Sequence, residues 1–423
     1  PVAWVSLHGR LAAALQSEGR GGTSGRGTNR LRQGFIVAQV ALAFVLLTGA
    51  GLLGLSLRRA MEVRPGFRPD HVITGRFNLT WSGYHEAKDF SAFFNRLYEK
   101  VNALPGIAAM GSVTTVPVVG RSANDVVTVP GYKPLSGDTL VVHDVLSEEG
   151  NYFRAIGIPL KEGRFLRPED EKWDNRVCVV DEAFAKHYWP GESAIGKPVY
   201  RGTHPDPKEG AYTVVGVVGS IRQESMTDLQ GRGAIYYPFT EYFARDFYLV
   251  VRSSLPADSL ATTLQKLVRS IDPDMPLTDI RSMGLRIDDS LITRRSPALM
   301  AGVFAGTALF LATIGLYGVM AYAVSQRTKE FGVRLALGAQ ARDVLRLVFS
   351  QGARLAGVGL VLGAVGAPLL TRFIESMLFG VEANDPLAYG GVALLLAAVA
   401  ALACLLPARR ATRVNPVVAL RAE

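Results

Sequence analysis

The chain has 423 residues, of which 48% are hydrophobic and 20% are charged, and its formal net charge is +9. This positive charge does not indicate a nucleic-acid partner, because residues 60–296 carry a net charge of −2, whereas residues 1–59 and 297–423 carry +6 and +5. The two cysteines, Cys178 and Cys404, are too few for a disulfide framework.

Four uncharged apolar runs divide the chain: 23 residues at 35–57, 28 at 297–324, 17 at 355–371 and 23 at 386–408. A helix that rises about 1.5 Å per residue needs about 20 apolar residues to cross a hydrocarbon core of about 30 Å. The third run is short, but Arg354 and Arg372 at its edges can reach the lipid headgroups, which gives a span at 349–375. The sequence therefore predicts an α-helical membrane protein with four transmembrane helices.

The distribution of arginine and lysine orients the spans, because cytoplasmic segments carry the basic excess. Basic residues concentrate in a linker at 1–34, in a loop at 325–348 and in a tail at 409–423, whereas the connection at 376–385 contains none. We expect the first three segments in the cytoplasm, and residues 58–296 and the 376–385 loop outside. The linker starts without a methionine and is rich in glycine, serine and arginine, so we expect another unit to precede it.

Residues 58–296 contain two β-α-β patterns that bracket an insertion. The patterns comprise a strand at 72–79, a helix at 86–104 and a strand at 108–116, and later a strand at 247–252, a helix at 256–271 and a strand at 276–280. The insertion at 122–237 is rich in strand patterns, with one helix near 181–188. This order predicts an α+β extracytoplasmic domain of two lobes. A charged helical stretch at 283–295 then runs into the second span.

The loop at 325–348 carries the strongest functional signal. Glu330 and Arg334 have the spacing of an intrahelical ion pair, and Gly338 is a natural helix stop. The positive-inside rule does not explain the apolar residues Phe331, Val333, Leu335 and Leu337. The pattern predicts a short amphipathic helix at the membrane surface, which either anchors the loop there or docks a cytoplasmic partner.

The apolar runs contain no ionisable side chain, which argues against proton relays and ion-coupled transport. They contain glycines instead. Gly302 with Gly306, and Gly359 with Gly363, have the spacing that lets membrane helices approach closely. We therefore predict a helix-packing role for these four residues, in a bundle or in a dimer.

No enzymatic site is indicated. The six histidines lack the spacing of metal ligands, and the sequence has no Gly-x-Ser-x-Gly elbow. Residues 191–197 match part of a phosphate-binding loop, but Pro198 replaces the hydroxyl residue that would hold magnesium. We predict no cofactor, no metal and no catalytic activity.

Several segments are similar to those of one known family. Residues 325–339 resemble the loop ahead of the third span in the MacB/FtsX-type permeases of ABC transporters, and residues 407–421 resemble their C-terminal signature. Residues 151–165 and 188–197 resemble the MacB-like periplasmic core domain. Residues 10–40 resemble the junction of duplicated permeases, so the chain resembles the C-terminal half of such a protein.

The resemblance implies an FtsX-like permease domain at 297–418 and a non-catalytic role as the permease subunit. A separate cytoplasmic ABC ATPase subunit, absent from this sequence, would push on the loop, and the spans would relay the movement to the periplasmic domain for efflux or envelope export. The residues expected to meet the ATPase are Glu330, Phe331, Arg334, Leu337 and Gly338. Other implied partners are a fused first half or a second permease copy, a periplasmic adaptor and membrane lipid, and the implied location is the cell inner membrane.

Two other functions fit part of the pattern. A membrane sensor, whose outer domain binds an envelope component or a peptide and signals inward, shares every feature above, and its cytoplasmic partner would differ. A membrane-anchored envelope hydrolase would need a nucleophile or metal motif that the sequence does not display.

Overall fold

The computed structural model describes residues 26–78, 87–119, 123–132, 142–171, 175–203, 210–227, 233–241, 246–337 and 340–412. The chain divides into two compact units. We call residues 58–293 the sheet unit, and we call the helices of residues 26–57 and 294–412 the membrane-helix unit.

The helices are α1 (Arg26–Glu62), α2 (Ala87–Asn102), α3 (Tyr152–Ile156), α4 (Glu182–Tyr188), α5 (Ala257–Ile271), α6 (Met283–Ser290), α7 (Ile292–Gln326), α8 (Thr328–Ala336), α9 (Ala341–Ile374) and α10 (Pro386–Thr412). The strands are β1 (Val72–Asn78), β2 (Ile107–Val113), β3 (Ala123–Thr128), β4 (Val142–Gly150), β5 (Leu160–Gly163), β6 (Val177–Asp181), β7 (Pro198–Arg201), β8 (Tyr212–Val218), β9 (Ala234–Pro238), β10 (Asp246–Ser253) and β11 (Leu277–Ser282).

Four strands of the sheet unit form an antiparallel layer in the order β11-β1-β10-β2. Strands β1 and β2 flank α2 in the chain, and β10 and β11 flank α5, so two β-α-β units interleave in one layer. The apolar faces of both helices enter one buried core through Phe93, Leu97, Leu260 and Leu264. The two β-α-β patterns predicted from the sequence are confirmed, with ends that differ by a few residues.

Six further strands close on themselves into a ring. Strand β3 pairs with β4, β4 with β9, β9 with β6, β6 with β8, β8 with β7, and β7 with β3. Because successive strand side chains point to opposite faces, alternate residues such as Cys178 and Val180, or Ile235 and Tyr237, fill one core inside the ring. The helix predicted near 181–188 is present as α4, which packs into the same core through Phe184.

Strand β4 belongs to both parts of the sheet. Its first residues pair with β3, and Asp144 to Glu148 pair with β9 in the ring. Its last residues, Glu148 to Gly150, pair with β2 in the four-stranded layer. Two adjacent acidic residues, Glu148 and Glu149, therefore lie where the chain passes from one part to the other.

The stretch at 283–295, predicted to run as one helix into the second span, is interrupted at Leu291, between α6 and α7. Helix α6 is held to the sheet by Arg286, which is 5% exposed. Its Nη1 lies 2.8 Å from Asp279 Oδ2, and its Nε donates a hydrogen bond to Thr74 Oγ1. This buried pairing fixes α6 against β1 and β11.

The four helices α1, α7, α9 and α10 of the membrane-helix unit are long and apolar enough to cross a membrane. Their buried core includes Val40, Phe44, Leu316, Met320 and Leu396. All four predicted spans fall on these helices. Each helix extends at one or both ends beyond its apolar run, because the backbone hydrogen bonding continues through the polar flanks.

Candidate functional site

The loop after α7 forms the short helix that the sequence predicts, α8, and both of its boundaries are defined. Thr328 Oγ1 donates a 2.8 Å hydrogen bond to the Ser325 carbonyl, which closes the turn between α7 and α8. Gln340 and Asp343 form a capping box at the start of α9, with the Gln340 N–H donating to Asp343 Oδ2 at 3.0 Å. Hydrogen bonds therefore define the turn into α8 and the start of α9.

One face of α8 is buried in the membrane-helix unit. The Phe331 side chain is 1% exposed and belongs to the same core as Val324, Val344 and Ala408, which come from α7, α9 and α10. Helix α10 also packs directly on α8. The Phe331 ring lies inside the bundle, where it anchors α8, and its expected part in coupling to the ATPase stays a prediction.

A second face of α8 is exposed. Glu330, Val333, Arg334 and Leu337 follow the three- and four-residue spacing of one helix face. Glu330 Oε1 lies 2.6 Å from Arg334 Nη2 in the predicted ion pair. Val333 and Leu337 beside it are 41% and 82% exposed. This face, which we call the α8 docking face, combines an ion pair with apolar side chains; Gly338 lies outside the described residues.

The predicted packing glycines differ in their surroundings. A Cβ on Gly359 would lie 2.7 Å from Val40 Cβ, and one on Gly363 would lie 2.6 Å from Phe44 Cβ, so α9 approaches α1 where no side chain would fit. Gly302 and Gly306 of α7 have no described atom within 4 Å of such a Cβ. A packing role for Gly302 and Gly306 therefore stays a prediction, and the contact would be with another chain.

A set of contacts at the other end of α7 was not foreseen from the sequence. Arg294 Nη1 donates a 2.7 Å hydrogen bond to the Met377 carbonyl, and its guanidinium carbon lies 5.9 Å from the centre of the Phe379 ring. The Phe379 N–H donates to Ser56 Oγ at 2.8 Å. These contacts join α1, α7 and the segment after α9. In the sequence, the one indication of these contacts is the position of Arg294 close to the start of an apolar run.

The described residues offer contact surfaces rather than reactive groups around α8. Across the described ranges, no group of three or more His, Cys, Asp or Glu side chains is arranged to hold a metal ion. The chemistry available at the α8 docking face is ion pairing and apolar contact, which is the chemistry of protein recognition.

Comparison with known proteins identifies both parts of the chain. The family model of the MacB-like periplasmic core domain matches residues 36–269, and that of the FtsX-like permease C-terminal region matches residues 302–416. A pyoverdine export ATP-binding/permease protein, PvdT of Pseudomonas putida, is 29% identical over 284 residues, which are 63% of this chain and 41% of that protein. A macrolide export ATP-binding/permease protein, MacB of Wolinella succinogenes, is 26% identical over 282 residues, which are again 63% of this chain and 41% of that protein.

The chain thus spans about two fifths of the length of the curated relatives it matches. Among solved structures, the periplasmic region of MacB from Actinobacillus actinomycetemcomitans aligns with 54% of this chain and 95% of that one, at 18% identity and a TM-score of 0.35.

Proposed function

We propose that this chain, which belongs to the MacB/FtsX-type family of ABC transporter permeases, relays ATP-driven movement from a separate cytoplasmic ATPase to its sheet unit for efflux or envelope export. The observation that carries the coupling role is the geometry of α8. Phe331 anchors one face in the bundle core while the α8 docking face is exposed. A partner that pushes on the exposed face therefore moves α7, α9 and α10 instead of bending a loose loop.

A continuous route through the chain supports this role. Between Arg286 and Glu330 the described backbone leaves helical geometry only at Leu291 and Arg327. Arg286 fixes α6 to the sheet, and Phe331 fixes α8 to the bundle. The polypeptide therefore runs from α8 through α7 to α6 with two interruptions, and we expect displacement of α8 to reach the sheet unit along it.

We further propose that the four-stranded layer and the strand ring are the two lobes of an extracytoplasmic domain at 58–296, with the ring as the inserted lobe at 122–237. Their separate buried cores support this division. The concentration of lysine and arginine in the segments 1–34, 325–348 and 409–423 supports a position of residues 58–296 outside the inner membrane.

The proposed assembly also includes a fused first half or a second permease copy, a periplasmic adaptor and membrane lipid. The unoccupied space around Gly302 and Gly306 supports a contact with another permease unit. The export function is proposed by analogy with the export proteins PvdT and MacB, and their cargoes are not assigned to this chain.

The first test is affinity purification of the full chain from native membranes, followed by identification of the cytoplasmic protein that copurifies. An ATP-hydrolysing partner supports the permease role. Recovery of a kinase or another signalling regulator in its place would assign the chain to the membrane sensors.

The second test uses the permease and its ATPase reconstituted in vesicles. Val333→Asp combined with Leu337→Asp places charges on the α8 docking face, and we expect permease-stimulated ATP hydrolysis to fall roughly tenfold or more, as at other interface hot spots. The matched control is Ile195→Asp combined with Leu255→Asp, because these apolar residues of the sheet unit are each 37% exposed. Equal stimulation in both double variants would contradict the docking role.

A charge exchange separates docking from helix stability. Glu330→Arg combined with Arg334→Glu retains an intrahelical ion pair but reverses the pattern of surface charge. We expect normal insertion and weaker coupling. Unchanged coupling would show that this ion pair only stabilises α8.

A further inference from the structure

The sheet unit contains a cavity of about 870 Å³. Its walls come from α2, from the end of β4 and from residues 160–171, and three acidic residues line it: Glu148, Glu149 and Glu171. A volume of this size lies in the range of about 300–1,000 Å³ that organic ligands occupy in proteins.

Two of these carboxyl groups are buried, and each has one oxygen atom without a hydrogen-bond partner among the described residues. The exposed fractions of Glu148 and Glu149 are 2% and 6%. The Oε2 atom of each has no hydrogen-bond partner among the described residues. Leaving a buried polar group unpaired costs about 1–3 kcal/mol, and more if it is charged. Two adjacent groups of this kind on a cavity wall point to a partner that the protein itself does not supply.

Burial, and after it repulsion among neighbouring carboxylates, raises the pKa values of these three groups. Burial, reinforced by repulsion from Glu171, raises the pKa of Glu149 to about 8, and the Ser91 hydroxyl offsets this only in part. Burial raises the pKa of Glu171 to about 7, although its carboxylate accepts a 3.2 Å hydrogen bond from the Thr240 N–H. The pKa of Glu148 is raised well above its usual range, first by burial and then by repulsion from Glu171 and Glu149, and the Tyr152 backbone N–H opposes this rise.

The basic residues of the lining do not neutralise the buried wall. Arg164 is engaged by Asp170, with Nη2 2.9 Å from Oδ1. Arg154 and Arg167 are exposed and therefore solvated. Apolar side chains complete the lining, namely Ala92, Phe94, Leu160, Phe165, Leu166 and Pro168. The cavity thus has an acidic buried wall beside apolar surface, which disfavours an anion.

We propose that this cavity binds an organic ammonium compound, with the ammonium group against Glu148 and Glu149 and the apolar body on the neighbouring apolar side chains. An ammonium group supplies three donors for the unpaired carboxyl oxygens. A bare metal ion fits less well, because across the described ranges no group of three acidic or other ligating side chains is arranged to hold one. The inference goes beyond the proposed coupling function, since binding needs no ATPase.

Binding of this kind is linked to protons. A bound cation favours the ionised carboxylates, so it lowers their pKa values and releases protons. With Glu149 at a pKa of about 8, its ionised fraction is small at pH 6 and about half at pH 8. We therefore expect the apparent affinity to be roughly 10- to 50-fold higher at pH 8 than at pH 6.

The test uses the full chain in detergent micelles and two fluorescent probes, dansylcadaverine, which carries a primary ammonium group, and its neutral N-acetyl derivative. We expect saturable binding of dansylcadaverine and at least tenfold weaker binding of the neutral probe. Glu148→Gln combined with Glu149→Gln should lose the difference. Glu99→Gln, an exposed residue on α2 outside the cavity lining, should retain it.

Two outcomes would overturn the proposal: equal binding of both probes to the unmodified chain, or an unchanged preference in the folded double variant. If the double variant does not fold, the proton release that accompanies binding is measured instead. Calorimetry of dansylcadaverine binding to the unmodified chain, in two buffers of different ionisation enthalpy, gives this quantity. Proton release near pH 7 supports the site. Binding without proton release would show that these carboxyl groups are structural.

Discussion

The backbone N–H of Phe379 donates a 2.8 Å hydrogen bond to the hydroxyl oxygen of Ser56, a residue 323 positions earlier in the chain. Ser56 is 1% exposed and Phe379 is 8% exposed, so water does not compete for this bond. It ties the segment after α9 to the end of α1, and Arg294 ties the same segment to α7 through the Met377 carbonyl. The segment after α9 is therefore held by both α1 and the N-terminal end of α7.

Ser56→Ala should destabilise the membrane-helix unit, because the buried N–H of Phe379 loses its acceptor. An unsatisfied buried donor costs about 1–3 kcal/mol. The thermal unfolding temperature of the full chain in detergent measures this. Ser350→Ala is the matched control, since the Ser350 hydroxyl is exposed and, among the described residues, donates to the Leu347 carbonyl of its own helix. Equal unfolding temperatures for the two variants would contradict the bracing role.

Phe331→Ala should release α8 from the bundle. Removal of a fully buried phenylalanine side chain costs about 3–5 kcal/mol, and Phe331 is 1% exposed. We expect faster proteolysis near α8 and a loss of ATPase stimulation. Val333→Ala on the exposed face should leave proteolysis unchanged. Normal protease resistance of the Phe331 variant would show that other contacts hold the helix.

Gly363→Leu should separate α9 from α1, because even a Cβ at this position would lie 2.6 Å from Phe44 Cβ. Overpacking of this kind costs about 1–3 kcal/mol, which a lower unfolding temperature reports. Gly302→Leu should leave that temperature unchanged, since no described atom lies within 4 Å of its Cβ position. A fall in the crosslinked dimer fraction for Gly302→Leu in native membranes would support a contact with another permease unit there.

The stability of the sheet unit should fall as the pH rises from 5 to 8. The pKa values of Glu149 and Glu171 are about 8 and about 7 in the folded chain, against 4.5 for an ordinary glutamate. The folded state therefore holds these protons more tightly than the unfolded state, so the stabilisation is complete below about pH 4.5 and is lost as the pH passes through 7 and 8. Each pKa unit corresponds to about 1.4 kcal/mol.

Tryptophan fluorescence of the full chain during thermal unfolding checks this pH dependence, since Trp189 lies in the core of the strand ring. Glu149→Gln should flatten the dependence and raise the unfolding temperature at pH 8. Glu99→Gln should not. A stability that increases over this pH range would mean that the buried carboxyl groups are ionised and paired.

Local patterns were enough to predict much of the chain. The apolar runs predict α1, α7, α9 and α10, because about 20 apolar residues in a row have no better environment than a membrane. The period of the apolar residues around Phe93 and Leu260 predicts α2 and α5, and the four-residue spacing of Glu330 and Arg334 predicts their ion pair. These predictions depend on neighbours in sequence, so no knowledge of the fold is required.

Other features depend on residues that are distant in sequence, and only the tertiary structure decided them. The side of α8 that Phe331 occupies depends on α7, α9 and α10, and the ring depends on strands from 123 to 238. The raised pKa values of Glu148, Glu149 and Glu171 arise from burial, which for the two β4 residues comes where β4 passes from the ring into the four-stranded layer. The physical reason is that the spacing of apolar residues and the length of an apolar run are properties of consecutive residues. Burial and electrostatic neighbours, in contrast, are set by chain packing in three dimensions.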